Sequence, residues 1–197
     1  MDIPWTDVGA VSTAGLGAFA AWGAWLAARR SANTADTLAR IERDRRHEER
    51  RPRFELSLSG PYREHSTLNV HLAGPDELGE VEIVSIRVDD DDKDRSRLTP
   101  GGVTQAQIAA HVWGPYRFTP RVDGADEHGR AVGPFSLKVG RGRPFQMDRT
   151  RPGLWMVGKT MDQWQEEYLG HPVRLVIMCR VDGDEWVLAR SLPNEPW

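Results

Sequence analysis

The sequence predicts an N-terminal transmembrane α-helix continuing into a polar helix, then one mainly β domain: a β-sandwich with two short helices. Three observations predict it. Residues 8–28 carry no charge, residues 29–51 are rich in arginine and hold neither proline nor glycine, and from Arg53 onward apolar residues recur with period two. The expected organisation is a tail and span over 1–30, a charged juxtamembrane helix over 31–52, and a soluble domain over 53–197.

The uncharged stretch is 21 residues long, which as a helix covers roughly 31 Å, close to the hydrocarbon thickness of a bilayer. Thr6 and Asp7 stand where an N-cap is wanted, and Arg29 and Arg30 close the other end. Trp5 lies at one boundary and Trp22 and Trp25 near the other, where amphipathic rings favour the interface. Eight of the residues are Ala and four are Gly, so insertion is favourable by a narrow margin. A buried hairpin helix in a soluble assembly fits the same composition. A secretory signal fits less well, because it needs a basic start and this one has Asp2 and Asp7. The flanks set the orientation. The N-terminal side is acidic, while the C-terminal side carries Arg29, Arg30 and then seven further arginines from Arg40 to Arg53. The excess of positive charge on that side predicts a bacterial inner-membrane protein with its N-terminus outside and its large domain cytoplasmic. Arg29 and Arg30 are candidates for contact with anionic lipid, the bilayer being the first expected partner.

The helix is expected to leave the membrane unbroken and to stop at Pro52, which also disfavours helix at Arg51. Acid-before-base pairs four apart, Asp36 with Arg40 and Glu42 with Arg46, support it. Four acids interleave with the arginines, and the formal net charge of the whole chain is −3. That balance argues against nucleic acid as a partner and for a solvated spacer. Ala10, Ala14, Gly17, Ala21, Ala24 and Ala28, continued by Ser31, Ala35 and Leu38, form a stripe of small or apolar residues with a mean spacing of 3.5. Such a stripe lets helices approach closely in a membrane and suggests a homo-oligomer or docking on another membrane helix. In a segment this rich in Ala and Gly it also arises by chance.

Phe54, Leu56 and Leu58, then Leu68, Val70 and Leu72, then Phe135, Leu137 and Val139, then Val173 through Val181, alternate apolar with polar as half-buried strands do. Near Ile83 and Val84 the apolar phase switches, which suggests a bulge or a strand covered on both faces. Tyr116 with Phe118, Phe145 with Met147, and Trp186 with Leu188 bring the expected total to about eight strands. Asp182-Gly183 reads as a tight hairpin, and Gly140 with Gly142 as a turn. Thr104 with Gln107, stapled by Val103 and Ile108, and Thr160 with Gln163 form two capping boxes. After the second, Met161, Trp164 and Tyr168 share one face, Gly170 caps the end and Pro172 prevents continuation.

No catalytic motif emerges. The six histidines stand in no HxH or HExxH spacing, and there is no GxSxG, phosphate loop or dinucleotide fingerprint. The expected inventory is therefore no catalytic residue, no cofactor and no metal. Cys179, the single cysteine, falls on the inward phase of its strand and reads as core rather than nucleophile; His71 falls on the outward phase. Asp90, Asp92 and Asp94 match the first positions of a calcium loop, but Arg95 and Gly101 occupy the places that need Gly and Glu, so the run reads as an exposed loop. Trp113 and Tyr116 flank a Gly-Pro turn and are candidates for a partner-binding pair, with sandwich core as the commoner fate of such rings.

The run from Leu38 to Arg46 with Pro52-Arg53-Phe54, the run from Val112 to Phe118, and Pro144-Phe145-Gln146 with Thr150, Pro152 and Trp155 resemble a group of single-pass membrane proteins of high-GC actinobacteria. That group carries no established activity, so the resemblance implies a bacterial inner-membrane setting and transfers no site residue. The expected function is a membrane-anchored β domain acting as a protein-interaction module for an unidentified protein partner. The alternatives are an accessory subunit of a larger membrane assembly, held by the Ala/Gly helix, and an enzyme whose site is assembled from distant residues.

Overall fold

The computed structural model describes residues 36–60, 64–90 and 103–194. The expected span at 8–28, its Ala/Gly stripe from Ala10 to Ala35, and Arg29 and Arg30 lie outside these residues. Among the described residues no helix is long and apolar enough to cross a membrane.

The chain divides into two units between Glu49 and Arg50. In the first, residues 36–49 are helical (α1). Arg46 donates to Glu42 at 3.2 Å, as the four-residue spacing predicts, and Arg45 donates to Glu49 at 2.8 Å. Leu38 and Ile41 are exposed on this helix at 60% and 57%. The second unit begins at Arg50. Arg50 pairs with Asp182 at 2.6 Å and Asp184 at 3.6 Å, both beside the last hairpin of the β domain, and Pro52 is buried.

The β domain contains nine strands among the described residues. They are β1 Arg53–Ser59, β2 His65–Gly74, β3 Glu80–Val88, β4 Tyr116–Phe118, β5 Ala131–Val132, β6 Phe135–Lys138, β7 Gly142–Arg149, β8 Val173–Val181 and β9 Asp184–Leu192. Two short helices, α2 Gln105–Ala110 and α3 Met161–Glu167, interrupt them. One sheet has the order β1-β2-β7-β4, the other β5-β3-β8-β9 with β6 also on β3, and the strand pairs of both sheets are antiparallel.

Each sheet turns one face inward. Leu68, Val70 and Leu72 of β2 and Phe145 and Met147 of β7 meet Val81, Ile83 and Ile86 of β3 and Leu175, Ile177 and Cys179 of β8 in one continuous core. All eleven are fully buried. The arrangement is sandwich-like, and each large aliphatic side chain so enclosed contributes about 1.5–3 kcal/mol.

The switch of apolar phase in β3 is a bulge: its register against β8 shifts between Ile83 and Ser85. On the other side of β3, β5 and β6 share one edge, pairing with Ile86–Arg87 and with Glu80–Ile83. The chain breaks between them at Gly133, beside the Val84 carbonyl. The β8–β9 turn is Asp182-Gly183, with φ +50 and +89, the two-residue hairpin the sequence predicts.

Candidate functional site

At the β4 edge of the first sheet, α2, α3 and the segment joining β7 to α3 build a second, smaller core. Both helices start where their capping boxes place them. The Thr104 hydroxyl accepts from the Gln107 amide at 3.2 Å and the Thr160 hydroxyl from the Gln163 amide at 3.3 Å, each with the reciprocal bond. The caps aim Ile108, Trp164 and Tyr168 at one another, and Trp113 joins them. Thr150, 3% exposed, sits among these rings. Its hydroxyl accepts from Trp164 Nε1 at 2.9 Å and donates to the Gly114 carbonyl. The His111 ring lies edge-on to Trp113, Trp155 and Trp164, with centroids 5.0, 5.3 and 5.4 Å away.

Over this aromatic base the chain from Gly153 to Lys159 forms a closely braced loop. The Met156 amide donates to the Gly153 carbonyl at 2.8 Å and the Lys159 amide to the Met156 carbonyl at 3.0 Å. Trp155 and Met156 face inward onto the aromatic cluster. A Cβ at Gly153 would stand 2.6 Å from the Trp155 ring, so the fold of the loop needs glycine there. With these two side chains turned in, Leu154 and Val157 are left fully in water, 103% and 96% exposed. Lys159 closes the loop, pairing with Glu167 and standing 5.5 Å from the centroid of the Trp164 ring.

Two clefts flank Arg151 and Pro152. The larger, about 590 Å³, runs between Glu64, Arg149, Met161 and Gln165. Its charges largely answer one another, since Arg151 pairs with Glu64. The smaller, about 390 Å³, is lined by Arg117 and Trp155 together with His111, Val112, Thr150, Leu154 and the Arg151-Pro152 turn, and no carboxylate lines it among the described residues. Arg117 leaves the outer face of β4, its stem passing over Gly129. Asp148 stands across from it in the β4–β7 register, but the Asp148 carboxylate accepts from Thr119 at 2.8 Å and lies 2.9 Å from His65.

The residues singled out in sequence fall as follows. Tyr116 is fully buried in the main core and Trp113, 5% exposed, belongs to the small aromatic cluster, so the pair presents no exposed aromatic surface and takes the core alternative. Cys179 is fully buried, and burial pushes its thiol up to about 11, which suits a core residue rather than a nucleophile. His71 lies 3.6 Å from Glu55. Asp90 receives Arg130 at 2.9 Å on its carboxylate and Arg174 at 2.8 Å on its carbonyl, while Asp92 and Asp94 lie outside the described residues. Among the described residues no group of three or more His, Cys, Asp and Glu side chains is arranged to hold a metal ion. The exposed Leu154 and Val157 escape a reading by alternation. Their only signal is a Leu-Trp-Met-Val run between Gly153 and Gly158, which does not tell which two of the four turn inward.

Comparison with known protein families, with characterised proteins and with solved structures finds no match.

Proposed function

We propose that the chain is a membrane-tethered interaction module. A single helix at 8–28 anchors it in a bacterial inner membrane with the N-terminus outside, the charged helix spaces it from the bilayer, and the β domain binds a protein partner on the cytoplasmic side. Support for the anchor is the length and flanks of the uncharged stretch. The observation that carries the binding function is the braced loop with Leu154 and Val157 fully exposed. Single apolar residues on a surface are ordinary. Two of them, three residues apart on a backbone held by its own hydrogen bonds and rooted in a tryptophan cluster, are prepared for burial without a cost of ordering the loop. Enclosing both in a partner contributes about 3–6 kcal/mol, the scale of a small binding hot spot.

The test is capture from membranes with the full chain and with Leu154→Asp/Val157→Asp. Both side chains are solvent-exposed, so the double variant should keep its melting temperature. The expected result is a stoichiometric protein held by the native chain and lost from the variant, with both in the membrane fraction. A partner retained by the variant but lost on Ala14→Leu/Gly17→Leu/Ala21→Leu would transfer the function to the helix and make the chain an accessory subunit. A native chain found entirely outside the membrane fraction would overturn the anchor.

A further inference from the structure

The smaller cleft holds two donors that nothing answers. Arg117 Nε and Trp155 Nε1 are both shielded from solvent, and neither has an acceptor among the described residues. Both residues line the same 390 Å³ cleft. A buried donor left without an acceptor costs about 1–3 kcal/mol, more when it belongs to a charged group. Two of them on one cleft are therefore a standing demand for acceptors at that place. The demand has a sign, because among the described residues the cleft is lined by two guanidiniums and no carboxylate. Arg151 already pairs with Glu64, which leaves Arg117 to be met from outside. The remaining walls are Val112, Pro152, Leu154 and the Trp155 ring, with the His111 ring and Thr150, whose hydroxyl is already bonded to Trp164 and Gly114.

We propose that this cleft binds a carboxylate carried on an apolar group, with Arg117 and Trp155 donating to the carboxylate oxygens and Val112, Pro152 and Leu154 enclosing the apolar body. An arginine fork is the side chain best matched to a carboxylate, and an indole N–H is a donor only, so a ligand bearing two acceptor oxygens satisfies both. The volume admits a single aromatic acid or the last residue of a peptide. The site goes beyond the docking of Leu154 and Val157 and shares Leu154 with it, but its ligand is read without any protein partner, so the two readings fail separately.

The experiment uses the full chain in lipid nanodiscs, labelled with 15N-tryptophan, titrated with phenylacetate, with its neutral counterpart phenylacetamide, and with a short peptide ending in phenylalanine with a free carboxylate. The Trp155 indole resonance is assigned by its loss in Trp155→Phe. The expected result is a saturable downfield shift of that resonance with a carboxylate probe and none with the amide. In Arg117→Gln the affinity should fall at least about tenfold, as expected when a charge-assisted hydrogen bond is lost. The Trp186 resonance, in the main core, should stay in place and report an intact fold. A shift with phenylacetate alone assigns the site to a small organic acid, and a tighter shift with the peptide assigns it to a chain end. The proposal falls if neither carboxylate moves the Trp155 resonance at roughly 10 mM, where even millimolar affinity gives near saturation. It falls equally if phenylacetamide binds as well as phenylacetate. That comparison needs no variant and stands even where Arg117→Gln does not fold.

Discussion

Gly129 lies where a side chain has no room. Its φ is +72, and a Cβ placed on it would stand 2.0 Å from the Phe118 carbonyl oxygen, which no rearrangement short of moving the β4 edge relieves. Gly124, with φ +89, has open space around the same atom. Gly124→Ala should therefore cost only the left-handed backbone penalty, about 1–2 kcal/mol. Gly129→Ala should exceed it by a further ~2 kcal/mol or more and lower the melting temperature accordingly, on the scale of other buried steric conflicts. Thr150 is the polar counterpart of such a site. Thr150→Val keeps the shape but removes the acceptor of Trp164 Nε1 and the donor to Gly114. The expected loss is about 2–4 kcal/mol in denaturant unfolding, two orphaned groups at once. Cys179 makes a third, pH-dependent case. The unfolded chain gives up the thiol proton near 9, while the folded chain holds it to about 11. Stability is thus unaffected below pH 9 and declines between 9 and 11, and Cys179→Ala should flatten that part of the profile. For the same reason iodoacetamide should label Cys179 only as fast as the protein unfolds. The inward phase of β8 already assigned this residue to the core, because alternation is a local property of the strand that carries it.

The elements most legible in the sequence are those whose cause lies within a few residues. Both capping boxes form as spelled, the hairpin turns at Asp182-Gly183, and the phase switch at Ile83 and Val84 is a bulge. β5 is not legible for the opposite reason: two residues, Ala131 and Val132, are too few to alternate, and only the β3 edge makes them a strand. The Trp113-Gly114-Pro115-Tyr116 turn shows where local reading stops. Its spacing suggests one pair of rings, and the fold sends Tyr116 into the sandwich and Trp113 to a separate cluster with Trp164, fifty-one residues further on. The loop above that cluster depends on α3 being seated, because Trp155 and Met156 pack on the core that Trp164 belongs to. Thr160→Ala removes the cap that starts α3 and should cost about 1 kcal/mol globally. Its effect on the loop should be larger in proportion. Amide exchange at Met156 and Lys159, whose bonds brace the loop, should quicken more than exchange in β8, measured at the same protein concentration. Equal changes in both places would show that the loop stands without its helix.

At the scale of the molecule, alternation gives the strands but not their order. Nothing in the sequence of β2 says that its neighbour is β7, seventy residues later, nor that β3 pairs with β8. Those pairings come from closing two apolar faces on each other. The helical stripe is the converse case, a pattern whose partner is a proposal and of which only Leu38 lies within the described residues. Leu38 is its last member and stands 60% exposed on α1, with Ile41 one turn on at 57%. Two such residues one turn apart on a mostly charged helix make a short apolar strip that suits the face of a second helix. Cysteine at position 38 tests this directly, because the native chain has one cysteine and Cys179 is buried with a thiol that resists ionisation. Under mild oxidation in membranes Leu38→Cys should give a disulfide-linked dimer, since paired stripes bring equivalent positions within the ~7 Å that a disulfide spans. Arg40→Cys lies about 200° around the helix from position 38 and should stay monomeric. Adding Ala14→Leu, Gly17→Leu and Ala21→Leu to Leu38→Cys should abolish the dimer, because close helix approach depends on small residues there. Cross-linking at both 38 and 40 would indicate random collision, and cross-linking at neither would remove the homo-oligomer and leave Leu38 to a different partner.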